Sequence, residues 1–213
     1  MTTAQPDAKK PRRTPLYTFA RGVAWVLFHT VIPIRYHNAE KLNRADAPYI
    51  LIANHLSFID PGVAAVPIKR YEVNFVGKKE LTKSKLLGWL LGKLHMIVVD
   101  RHHSDMEAMR TFMKTLRNGE ILALFPEGTR HHKGIMEEME SGIGLIALRS
   151  NVPVYPVYID RRVLPFRVTH CWVGDPIPYD DIRADGVNSE TSARFMARIT
   201  ETYRQMMADA ARR

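Results

Sequence analysis

The stretch "YILIANHLSFIDPG", Tyr49 to Gly62, changes character halfway along. Tyr49 to Asn54 is a continuous apolar run of strand length, the pattern of a strand buried on both faces. Pro61 suits the first turn of a helix. Between strand and helix sits a short polar connection with His55 and Asp60 at its two ends.

The same alternation continues downstream. "VNFVG" (Val73 to Gly77), "MIVVD" (Met96 to Asp100), "ILALF" (Ile121 to Phe125) and "VYPVYI" (Val154 to Ile159) read as further buried strands, and "FRVTHCWVG" (Phe166 to Gly174) as a longer edge-strand candidate. Helical patterns fall between them. Ser104 and Glu107 form a capping-box pair ahead of Met109, Phe112, Met113 and Leu116, with Gly119 as the stop. "KLLGWLLGKL" (Lys85 to Leu94) and "GIGLIALRS" (Gly142 to Ser150) make two more helices. Phe195, Ile199, Tyr203 and Met206 mark one face of a last amphipathic helix. Strands alternating with helices predict an α/β fold, with a mostly parallel central sheet flanked by helices. Sites in such folds gather beyond the carboxyl ends of the strands. His55 follows one strand, Asp100 and Arg101 end another, and "PEGTR" follows a third.

The 213 residues suit one domain, and 46% hydrophobic with 25% charged residues is ordinary globular composition. A single cysteine, Cys171, excludes an internal disulfide, and no Cys/His spacing matches zinc. The pairs His102–His103 and His131–His132 read as solvated loop residues, so no metal is expected. The formal net charge of +9 favours an anionic partner: nucleic acid, phospholipid surface or phosphorylated substrate. A nucleic-acid binder would interleave aromatics with its basic residues. Here Tyr49, Phe75 and Phe125 fall inside apolar strand runs, and no nucleic-acid partner is expected.

Residues 1–15 form a polar, basic tail expected to be disordered, and 39–213 the folded domain. Residues 16–38 form an apolar helical segment, interrupted by Arg21 and His29. Three placements suit it: lying in a membrane interface with its basic flank toward anionic headgroups, packed on the domain core, or spanning. The interfacial placement is expected.

For His55 and Asp60 the residues allow two readings. On one, Asp60 is simply the N-cap of the helix that opens at Pro61, with His55 filling the loop. On the other, Asp60 accepts a hydrogen bond from one imidazole nitrogen, leaving the other to take a proton from an alcohol. Ser57 lacks the surroundings of a nucleophile elbow and reads as a loop-stabilising hydroxyl. In "FPEGTR", Phe125 to Arg130, Gly128 allows a turn closed to other residues, and Arg130 presents a fork of donors suited to phosphate.

Taken in order, H-x-x-x-x-D, "VDR" ending at Arg101, F-P-E-G-T-R, and V-P-V-Y-P-V-Y-I from Val152 to Ile159 resemble the glycerophospholipid acyltransferase family, in particular its bacterial 1-acyl-sn-glycerol-3-phosphate acyltransferases. The resemblance runs from Tyr49 to Asp160. It implies that His55 is a general base oriented by Asp60. It further implies that Glu127, Gly128, Thr129 and Arg130 bind the acceptor's phosphate, helped by Arg101 and Lys78. The implied reaction moves an acyl group from a thioester to a lysophospholipid hydroxyl. The co-substrate is acyl-coenzyme A or acyl carrier protein, no cofactor is needed, and the place is the cytoplasmic face of an anionic membrane. Another lysolipid acceptor, or lysolipid binding without chemistry, are the alternatives. "MEEMESG", with Glu137, Glu138 and Glu140, departs from the basic or aromatic residue that many relatives carry there.

Overall fold

The computed structural model describes residues 13–99, 105–128, 135–140 and 142–212. Seven strands form one sheet: β1 (Ile34–His37), β2 (Ile50–Ala53), β3 (Val73–Lys78), β4 (Met96–Val99), β5 (Ile121–Leu124), β6 (Val154–Ile159) and β7 (Thr169–Val173). Their spatial order is β1-β7-β6-β2-β5-β3-β4. The block from β6 to β4 is parallel throughout. β7 runs antiparallel to β6, and β1 runs parallel to β7. The expected α/β architecture is therefore present, with a reversed pair at one side.

The strands alternate their side chains between two cores. Leu51, Ala53, Val73, Ile121 and Ala123 face one side. They pack there with Val63 and Ala64 of α3 (Asp60–Ala65) and with Phe28 of α1 (Pro15–Thr30). Ile50, Ile52, Leu122 and Leu124 face the other. That side is covered by Phe112 and Leu116 of α5 (Asp105–Arg117), Ile146 and Leu148 of α6 (Gly142–Ser150), and Phe195, Ile199 and Tyr203 of α8 (Ser189–Ala211). Two short helices, α2 (Glu40–Arg44) and α7 (Asp180–Ala184), and α4 (Lys85–Lys93) are the other α-helices among the described residues. α8 opens with a reciprocal capping box between Asn188 and Thr191. Where α6 crosses α8, a Cβ on Gly144 would lie 2.7 Å from the Ser192 carbonyl oxygen, so only glycine permits the approach.

Three expectations are corrected. The segment 16–38 is not helical throughout: α1 ends at Thr30, and Ile34–His37 is the edge strand β1. β7 is consequently an interior strand, not the edge. The boundary at 38/39 is crossed by the β1–β7 ladder, which pairs Ile34 with Thr169 and His37 with Trp172. The capping role of Ser104 and the tail up to residue 12 lie outside the described residues.

α1 carries two apolar faces. Tyr17 and Phe28 are buried on the domain, and Arg21 donates to the Ile68 carbonyl at 2.8 Å. Thr14 donates through Oγ1 to Glu72 at 2.9 Å, and the Tyr17 hydroxyl accepts from the Val73 amide at 3.1 Å. On the opposite side Phe19, Val23 and Val26 are each more than half exposed. Among the described residues no helix is long and apolar enough to cross a membrane.

Candidate active site

β2 and β5 are adjacent and parallel, with Ile52 opposite Leu124. Counting three residues onward in each strand places His55 across from Glu127. The two loops therefore leave the sheet side by side, at the carboxyl end where α/β sites assemble.

The His55 loop is folded around one carboxylate oxygen. Asp60 Oδ2 accepts from His55 Nδ1 at 3.0 Å and from the amides of Leu56 and Ser57, each at 2.6 Å. Asp60 is fully buried. Its side chain reaches back into the preceding loop, and the helix N-cap position belongs to Ile59. The N-cap reading of Asp60 is thus replaced by a reversed arrangement, in which the carboxylate gathers donors that precede it. A carboxylate can only accept, so Nδ1 is the donor in this contact, and in the neutral imidazole Nε2 holds the lone pair. The Phe125 ring lies 4.7 Å from the imidazole between centroids and walls one side of it.

Glu127 is buried, and both its oxygens are occupied by backbone. Oε2 accepts from the His55 amide at 2.7 Å and Oε1 from the Met136 amide at 3.0 Å. Gly128 follows at φ 61°, a left-handed conformation that favours glycine. Lys78 ends β3, two strands from β2 and on the same end of the sheet, where it is half-buried. Arg101, Thr129 and Arg130 lie outside the described residues, as do His102, His103, His131 and His132.

Two supports, Asn54 and Tyr203, were not anticipated from sequence, and a third, Ser57, has the loop-stabilising role expected of it. Asn54 is buried and pairs reciprocally with Ile159: its Nδ2 donates to the carbonyl at 2.9 Å and its Oδ1 accepts from the amide at 2.8 Å. That pairing prolongs the β2–β6 contact to the residue before His55. A polar residue closing an apolar strand was the available signal. The Tyr203 hydroxyl sits 2.7 Å from the Ile52 carbonyl and accepts from the Val157 amide at 3.3 Å, joining β2 to β6. Burial raises its pKa well above the ordinary tyrosine value, so it stays a neutral donor. Ser57 Oγ accepts from the Val163 amide at 2.9 Å, which ties the His55 loop to the segment after β6. No group of three metal-binding side chains converges among the described residues.

The histidine held by a buried carboxylate and the P-E-G turn both fall within residues 33–160, which match the Acyltransferase family model. The chain belongs to the acyltransferase family.

This acyltransferase is 28% identical over 197 residues to a 1-acyl-sn-glycerol-3-phosphate acyltransferase of Streptococcus pneumoniae, covering 89% of this chain and 72% of the relative. It is 29% identical over 141 residues to the protein of that description from Bacillus subtilis, covering 66% and 69%. Its fold matches the crystal structure of the Thermotoga maritima 1-acyl-sn-glycerophosphate acyltransferase PlsC, with a TM-score of 0.68 at 20% identity, over 93% of this chain and 79% of that one.

Proposed function

We propose that this enzyme moves a fatty acyl group from an acyl thioester, carried by coenzyme A or acyl carrier protein, to the free hydroxyl of lysophosphatidic acid, giving phosphatidic acid. The observation that carries the reading is the His55 Nδ1–Asp60 contact at 3.0 Å, in a chain whose relatives bear that activity in their names.

The lone pair on Nε2 accepts the hydroxyl proton as the acceptor oxygen attacks the thioester carbonyl. Asp60 holds the imidazole in that tautomer and stabilises the imidazolium that forms. Collapse of the tetrahedral intermediate breaks the carbon–sulfur bond, and the imidazolium returns the proton to the thiolate. Atoms and protons balance with no further reactant. Arg130, Thr129 and Gly128, with Arg101 and Lys78, hold the acceptor's phosphate and orient the encounter. Glu127, which the resemblance assigns to that phosphate, is better used by its geometry as a positioning residue, since both oxygens are engaged by amides. The outward face of α1 rests in an anionic membrane interface on the cytoplasmic side, where the acceptor resides.

The test offers purified protein acyl-coenzyme A and acyl carrier protein with lysophosphatidate, following thiol release and product mass. His55→Ala should lower turnover by roughly 10²–10⁴-fold with its circular dichroism unchanged. Lysolipid binding without thiol release by the native enzyme would overturn the reading.

A further inference from the structure

In the segment joining β6 to β7, "DRRVLPFR" from Asp160 to Arg167, only Val163 joins the core, and the tip at 164–167 serves neither core nor chemistry in the site above. Phe166 is 83% exposed and adopts φ 56°, a left-handed conformation costly for a bulky side chain. Its amide donates to the Val31 carbonyl at 2.7 Å, which holds the turn against the end of α1. Leu164 is also exposed, and an isolated bridge between Leu164 and Arg167 closes the tip. Val163, in contrast, is buried, its amide fixed by Ser57 of the His55 loop.

We infer that residues 161–167 form a second membrane-docking wedge, which inserts Leu164 and Phe166 into an anionic lipid surface beside the active site. The inference rests on the lipid-acceptor reading and adds a contact that α1 does not supply. Two apolar side chains are too few for a stable protein interface, which needs roughly 800 Å² from each partner. They suit shallow burial at the headgroup boundary. The charges fit the same partner. Arg161, Arg162 and Arg167 flank Leu164 and Phe166 in sequence and are exposed. The one carboxylate of the segment, Asp160, is taken by Arg161 at 2.9 Å and by the His170 amide at 2.9 Å. Arg162 and Arg167 make no ion pair among the described residues and are placed to meet lipid phosphates. Its anchor residue Val31, at the end of α1, is itself exposed.

Phe166→Trp supplies the probe, with the three native tryptophans, Trp25, Trp89 and Trp172, replaced by phenylalanine. With vesicles containing phosphatidylglycerol its emission should shift to the blue and be quenched by brominated acyl chains. Pure phosphatidylcholine vesicles should leave it unchanged. In the native background, Leu164→Ser with Phe166→Ser should weaken sedimentation with anionic vesicles by roughly tenfold. Arg162→Gln with Arg167→Gln should do so to a similar degree, about tenfold. Turnover of a short-chain, monomeric lysophosphatidate should be unchanged in both. An unquenched indole in the Phe166→Trp protein, while that protein still sediments with vesicles, would overturn the wedge and leave the α1 contact standing. Equal quenching in both lipids would overturn it as well. A quenched reporter on an enzyme without acyl transfer would support the wedge and sink only the proposed reaction.

Discussion

Glu127 accepts the backbone amide of His55 at 2.7 Å, so the two loops that follow β2 and β5 are joined through the main chain of the histidine itself. The second oxygen takes the Met136 amide at 3.0 Å. One buried carboxylate thereby sets where the imidazole starts and where the chain returns beyond residue 135.

Glu127→Gln keeps one acceptor and turns an amide group toward an N–H that needs one. Each unsatisfied buried donor costs about 1–3 kcal/mol. Thermal unfolding should show a loss of that order. kcat should fall while KM for the acyl donor holds, as befits a positioning residue. Full turnover in the variant would remove the role.

Asp60→Asn preserves size and removes the charge that three N–H groups share. The imidazole loses its partner for the protonated nitrogen, so kcat should fall roughly 10²–10⁴-fold. A variant with wild-type kcat would mean that the carboxylate only shapes the loop.

Tyr203→Phe deletes the hydroxyl between Ile52 and Val157. Urea titration should show a loss of about 1–3 kcal/mol, since a buried carbonyl and amide lose a partner. Ile52 lies three residues before His55, so kcat should decline as well. Unchanged stability would show that the strands re-pair directly without the hydroxyl.

Alkaline pH tests the tyrosine environment. Burial pushes the Tyr17 and Tyr179 hydroxyls up to about 12 from an ordinary value of 10.0. The folded state keeps these protons where the unfolded chain gives them up. Stability is therefore complete below pH 10 and is lost as pH rises from there through 12. Tm should decline across that window, less steeply in Tyr17→Phe. A Tm independent of pH there would contradict the burial of both rings.

What could be read from the residues follows from where each contact is made. β2 was legible because all four of its residues are buried, which writes an unbroken apolar run. β1 was not, because "IRYH" is a part-exposed edge strand whose pairing partner lies at Thr169–Val173. Pro33 did mark the break, since the residue before a proline is disfavoured in a helix. The proximity of His55 to Asp60 was legible for the same reason as β2: both partners are side chains in one short loop. Glu127 stands out in its motif, but its amide partners do not, because a backbone amide leaves no trace in side-chain spacing. Asn54 and Tyr203 were missed on that account too. The two faces of α1 explain why packing on the core and contact outside it looked equally good: Tyr17 and Phe28 serve the first, while Phe19, Val23 and Val26 remain for the second.

Among the described residues β1 meets no strand except β7, and five other strands separate the two along the chain. During synthesis Ile34 emerges long before Thr169 exists to receive it. β1 must therefore wait unpaired until most of the polypeptide has left the ribosome, although α1 can already dock on residues 62–73. A nascent chain stalled short of Thr169 should leave Ile34–His37 open to protease.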